Sequence, residues 1–166
     1  LSRGGVWPEV EIKDRPAYRK RGFMVDMGRS VFPLPMLKRI VRILHRLKMN
    51  QLHLHLLDDE LCGLRFDGLP FGADNPFALS IEGLAELVRY ARQVGFFSIQ
   101  CATNGIRFAQ STDYCRQAAE AGLRLAYLQF DGVSNESHAH RAVGNLFDVK
   151  QRAIDNLNDV GVDVTL

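Results

Sequence analysis

The sequence has no run of about 18 apolar residues, the length a membrane-spanning helix needs. It has three cysteines, Cys62, Cys101 and Cys115, at irregular spacing, too few and too odd for a disulfide framework. They are expected to be independent thiols, two of them partly buried, in a reducing compartment. Neither charge sign dominates: 21 basic against 19 acidic residues leave a net charge of +2, which gives no argument for nucleic acid. The basic group Arg15, Arg19, Lys20 and Arg21 reads as a solvated approach to the first strand. The opening Leu-Ser-Arg-Gly-Gly has no apolar core of a signal peptide and no initiator Met. The cytoplasm is the default expectation, with no membrane partner. No G-x-G-x-x-G follows the first strand, which argues against a dinucleotide fold.

What is present is an alternation of strand and helix patterns over 166 residues, enough for one domain with a real core. Gly22 to Gly28 reads as a short buried strand. Leu34 to Met49 is amphipathic, with Leu37, Ile40, Val41, Leu44 and Leu47 at three- and four-residue steps. Gln51 to Leu57 alternates strictly, as a strand does. After a long loop, Ser80 caps a helix over Ile81 to Gln93 that ends at Gly95. Phe96 to Thr103 is a strand and Asn104-Gly105 a turn. Ser111 caps Thr112 to Ala121, which Gly122 ends. Leu123 to Asp131 is a strand, Asn145 is the expected cap of Leu146 to Asn158, and Val162 to Leu166 opens a fifth strand.

This order predicts parallel strands with right-handed crossovers. The expected fold is α/β: half of a TIM-type β/α barrel, four βα units plus a terminal strand, in a single domain over 1–166. An open doubly wound sheet is the alternative. In the half barrel the first and last strands are open edges and one core face is bare to water. That predicts a homodimer or aggregation, with a second copy completing an eight-stranded closure.

Several polar groups fall at strand ends, where parallel barrels keep their sites. Asp26 and Arg29 are spaced to form an ion pair. His53 and His55 lie two apart on a strand and face one side, close to Asp58 and Asp59. His and carboxylate are normal zinc ligands, but no metal site is expected, and the Asp pair is adjacent, so its members point apart. Asn104 and Asp131 end the third and fourth strands and are candidate ligand contacts; otherwise they serve a turn and a loop. His138, His140 and Arg141 read as solvated loop residues. Phe96, Phe97, Tyr127 and Phe130 read as core and rim packing.

Two families are resembled. Arg21-Gly22-Phe23-Met24-Val25-Asp26-Met27-Gly28-Arg29, the helix pattern from Pro33, and Asn50 to Glu60 (NQLHLHLLDDE) together are similar to the start of a family 20 glycoside hydrolase, a β-N-acetylhexosaminidase-like barrel. The resemblance implies an N-acetylhexosamine ligand. It makes Arg29 the sugar-binding arginine, with Asp26, His55, Asp58 and Asp59 around it. That family acts through an Asp-Glu pair at the end of the fourth strand, the substrate-assisted exception to the two-carboxylate scheme. The corresponding segment is Gln129-Phe130-Asp131-Gly132. A glycine stands where the acid belongs, and it cannot donate a proton.

From about Glu86 the chain resembles the middle of a radical S-adenosylmethionine enzyme. The matching pieces are Gln100 to Arg107 (QCATNGIR), Tyr127 to Val133 (YLQFDGV) and Arg141 to Asn156. That family holds a [4Fe–4S] cluster on C-x-x-x-C-x-x-C, and the three cysteines here are not so spaced. No cofactor is therefore expected. The two resemblances divide the chain into 1–92 and 86–166. They imply an incomplete hexosaminidase-like fragment that could bind sugar. The alternatives are a radical S-adenosylmethionine fragment without its cluster, or a chimeric or designed scaffold without native activity.

Overall fold

A computed structural model describes residues 9–30, 32–57, 62–65, 75–137 and 145–166. Five strands form one parallel sheet in sequential order: β1 (Gly22–Asp26), β2 (Gln51–His55), β3 (Ser98–Thr103), β4 (Leu125–Leu128) and β5 (Asp163–Thr165). The helices are α1 (Leu34–Arg46), α2 (Ile81–Val94), α3 (Ile106–Gln110), α4 (Thr112–Ala121) and α5 (Leu146–Asp159). A doubly wound sheet reverses its strand order at a switch point. This sheet never does, and right-handed crossovers in sequential order put every helix on one face.

Strand burial agrees. Leu52, Leu54, Ile99, Cys101 and Ala126 are at most 1% exposed and meet the helices. The alternate residues, His53, His55, Gln100 and Ala102 among them, are only partly buried, and Tyr127 is exposed. The bare face is thus not a stripped apolar core as expected: polar side chains fill much of it, beside Met24 and Tyr127. Leu37, Val41 and Leu44 of α1, Leu84, Leu87 and Val88 of α2, and Leu157 of α5 complete one continuous core with the buried strand residues.

The element boundaries show where local pattern and hydrogen bonding diverge. Each expected strand is shorter in the ladder, because an apolar run continues into connections that leave the sheet: β4 closes at Leu128 where the pattern ran to Asp131. Helix α1 ends at Arg46, with Lys48 at φ 60, three residues before the pattern does. Helix α3 was not expected. It begins at Gly105, whose φ of 81 reverses the chain, and a Cβ there would lie 3.2 Å from both Ala153 Cβ and Leu128 Cδ2. The Ser80 and Ser111 side chains accept from Gly83 N and Tyr114 N as N-caps do. Asn145 makes no side-chain cap; instead Phe147 N donates to Asn135 Oδ1. All three thiols are buried, not two. Among the described residues no helix is long and apolar enough to cross a membrane.

Candidate functional site

The parallel register aligns the strand ends. Asp26, His55, Ala102 and Tyr127 form one row across β1 to β4, and Met24, His53, Gln100 and Leu125 form the row before it. Every one of these side chains lies on the face without helices, so the alternation of two carries Asp26 and both histidines to the same surface.

At the end of β1 the backbone turns around Asp26. Its Oδ1 accepts from Gly28 N and Arg29 N, each at 3.0 Å, and its Oδ2 accepts from Arg29 Nη1 at 3.0 Å. The expected ion pair is therefore present, and it is a clasp: one carboxylate orders both the turn and the guanidinium. The Arg29 side chain is 57% exposed and Asp26 26%. An exposed pair of this kind contributes little to stability. Its effect is orientation.

The middle of the face is occupied by His53, whose ring centroid lies 5.1 Å from that of Tyr127 at an interplanar angle of 43°. Burial pulls the His53 pKa below its ordinary value; a hydrogen bond with Gln100 opposes this and the charge of His55 adds to it. Among the described residues no three His, Cys, Asp or Glu side chains group as a metal site. Asp58, Asp59, His138, His140 and Arg141 lie outside the described residues.

Asn104 serves its turn: Oδ1 accepts from Ile106 N at 3.1 Å, while Thr103 Oγ1 accepts from Gly105 N. Asp131 is exposed, three residues beyond the end of β4. Beside it, a Cβ added to Gly132 would come within 2.5 Å of Ser137 Cβ. Phe130 packs edge-on against Phe147 at 5.9 Å. Phe96 is buried as expected, whereas Phe97 is 53% exposed.

One residue at this end escaped the sequence reading. Lys150 of α5 is 1% exposed; its ammonium donates to Gln129 O, just past β4, and lies 5.7 Å from the Phe130 ring. The signal was available: Leu146, Lys150, Ala153 and Leu157 share one helical stripe, so a lysine occupies a core position. On the far side of the sheet, Tyr114 is wholly buried among the thiols and its hydroxyl has no hydrogen-bond partner among the described residues. Desolvation raises the Cys101 thiol to about 12 and those of Cys62 and Cys115 to about 11, so all three stay protonated.

Comparison with known proteins finds partial matches. The model of glycosyl hydrolase family 20, catalytic domain, matches residues 18–96, the N-terminal region. A β-hexosaminidase of Vibrio furnissii is 40% identical over 63 residues, 38% of this chain and 10% of that protein. A 7,8-dihydro-6-hydroxymethylpterin dimethyltransferase of Methanocaldococcus jannaschii is 42% identical over 80 residues, 48% of this chain and 16% of that protein. The fold is shared with an exo β-N-acetylglucosaminidase of Vibrio harveyi solved with N-acetylglucosamine. The TM-score is 0.59 at 16% identity, covering 91% of this chain and 35% of that one. The chain thus spans a sixth or less of the curated relatives and about a third of the solved enzyme.

Proposed function

We propose that this chain is part of a β-N-acetylhexosaminidase-like barrel that binds N-acetylhexosamine through Arg29 and has no complete hydrolytic site of its own. The observation that carries this reading is the Asp26 clasp. A guanidinium has five donors in a fixed plane, so it can hold a carboxylate and still offer paired hydrogen bonds to sugar hydroxyls. Asp26 Oδ2 holds one of those donors, Nη1, at the strand end where barrels bind ligands. His55, Asp58, Asp59, Asn104 and Asp131 are the further candidate contacts.

The sheet is read as half of a TIM-type barrel and the chain as one domain built from two parts, 1–92 and 86–166. Continuity supports the single domain: β2 of the first part and β3 of the second pair over five residues, from Gln51 with Ser98 to His55 with Ala102. Among the described residues β1 and β5 each pair on one side only, and such edges favour self-association of this chain.

Titration of N-acetylglucosamine by NMR tests the sugar site. Binding is expected in the millimolar range, about −4 kcal/mol, and Arg29→Ala should abolish it. Unchanged ligand shifts in that variant would refute the role. A nitrophenyl N-acetylglucosaminide should not be hydrolysed.

A second reading has its own support. The 42% identity to the methanococcal dimethyltransferase favours a fragment of a radical S-adenosylmethionine enzyme without its cluster. Reconstitution with iron and sulfide should give no stable cluster under either reading, and about four irons per chain would overturn the absence of a cluster in this one.

A further inference from the structure

The edge formed by β1 and α1 carries an apolar strip that remains exposed among the described residues. Lys38 pairs with Glu86 of α2 at 2.5 Å, and the His45 ring lies over Gly95 at the end of α2, so that flank of α1 is occupied. Met36, Ile43 and Leu47, spaced seven and four residues apart, fall on the opposite flank and are 46%, 46% and 62% exposed. Phe23 extends the strip from β1: it is paired with Leu52 on the helix-covered side of the sheet, yet it is 47% exposed, whereas Leu52 is fully buried. Among the described residues no helix lies beside α1 over β1.

The other edge has the matching shape. Asn156 donates to Phe108 O of α3, which marks the inner flank of α5. The outer flank presents Phe147 and Ile154, seven apart and half-buried, next to β5. The rims differ in charge. Arg39, Arg42 and Arg46 stand on the outer surface of α1 without an acidic partner among the described residues, and with Pro35 and Ile43 they line a shallow depression. On α5 the outer surface carries Asp148, Asp155 and Asp159 with Arg152 among them, all exposed and net acidic.

We infer that a second copy of this chain docks here, α5 and β5 of one copy against α1 and β1 of the other, repeated by a twofold axis. This rests on the self-association reading above and specifies its surface. The strip of Phe23, Met36, Ile43 and Leu47 covers Phe147 and Ile154 of the partner copy. Arg39 and Arg46 reach over the rim to Asp155. The outer N–H and C=O groups of β1 and β5, which pair with no described strand, meet as one more parallel ladder. The eight-stranded closure expected earlier does not follow, because each copy brings five hydrogen-bonded strands.

Multi-angle light scattering and sedimentation of the full chain test the inference. A dimer is expected at about 100 μM, where contacts of about −8 kcal/mol are saturated. Ile43→Glu with Leu47→Glu should give a monomer with unchanged far-ultraviolet circular dichroism. Arg39→Glu with Arg46→Glu should weaken the dimer about tenfold, and adding Asp155→Arg to that chain should recover much of the loss. A monomeric parent chain would overturn both self-association and this surface. A dimer indifferent to the α1 substitutions would leave self-association standing and overturn the surface.

Discussion

His53 of β2 and Tyr127 of β4 meet across an intervening strand, their ring centroids 5.1 Å apart. Neighbouring strands lie about 4.8 Å apart, so rings two strands removed touch by leaning over what stands between. On β3 the Tyr127 partner is Ala102, whose methyl group leaves that room. His53 is half-buried there, and burial favours its neutral form. The unfolded state therefore takes up a proton first as the solution is acidified. This contribution to stability is full above the unfolded histidine pKa of about 6.5 and is lost as pH falls from there through the lower folded value. Urea midpoints between pH 8 and 5 should decline over that range, and His53→Gln should flatten the decline. An equal decline in the variant would assign it to other groups.

Tyr114 is a different case, a buried hydroxyl without a partner among the described residues. An unmade buried hydrogen bond costs about 1–3 kcal/mol. The ring, in contrast, packs well, 4.9 Å from Phe108. Tyr114→Phe keeps the ring and removes the burden, so the variant should be more stable, by about 1 kcal/mol. A lower melting temperature would show that the hydroxyl is satisfied in solution.

Much of this architecture was legible in the sequence because its signals are local. Ser80, Ser111, Gly95 and Gly122 bracket helices where side-chain acceptors and left-handed closures are needed. The strict alternation of Gln51 to His55 placed both histidines on one face. The Asp26–Arg29 pair was legible because its spacing of three residues closes a turn at a strand end. What was missed depends on contacts distant in sequence. Helix α3 has five residues, too few for a periodic pattern, and is set by the Gly105 turn. The depth of Cys62 follows from a connection that folds back on β2, with Gly63 N donating to Leu56 O at 2.7 Å. The polar character of the bare face follows from the residues of β2 and β3, whose outward positions are His53, His55, Gln100 and Ala102, so an open sheet here is not an open apolar core.

Lys150 should prove costly to remove. Its methylenes lie in the core stripe of α5 and its ammonium serves the Gln129 carbonyl at the end of β4. Lys150→Met retains the packing and withdraws the donor, which strands a carbonyl; a loss of about 1–3 kcal/mol is expected. Lys150→Ala adds a cavity and should lose more, by about 2 kcal/mol. If Met proved as stable as the parent, the lysine would be filling space and not tying the strand end.

The absent acid should not be restorable by a single substitution. Gly132 follows Asp131 where the family 20 resemblance calls for a glutamate, so Gly132→Glu is the obvious repair. The backbone forbids it as the chain stands, because a Cβ at this position meets Ser137 Cβ at 2.5 Å, a contact of two tetrahedral carbons and not of a side-chain tip that could swing away. The loop must shift, at a cost of about 1–3 kcal/mol typical of overpacking. The new carboxyl would then sit away from the line of β4. Gly132→Glu should therefore be destabilised and inactive on a nitrophenyl N-acetylglucosaminide. Ser137→Gly in the same chain removes the clashing carbon and should recover most of the stability, but not hydrolysis, because the remaining barrel segments of the family's site are not supplied by this chain under the proposed reading. Measurable turnover by Gly132→Glu alone would show that the loop already has the family's geometry and that the acid, and not further barrel segments, is what the parent chain lacks.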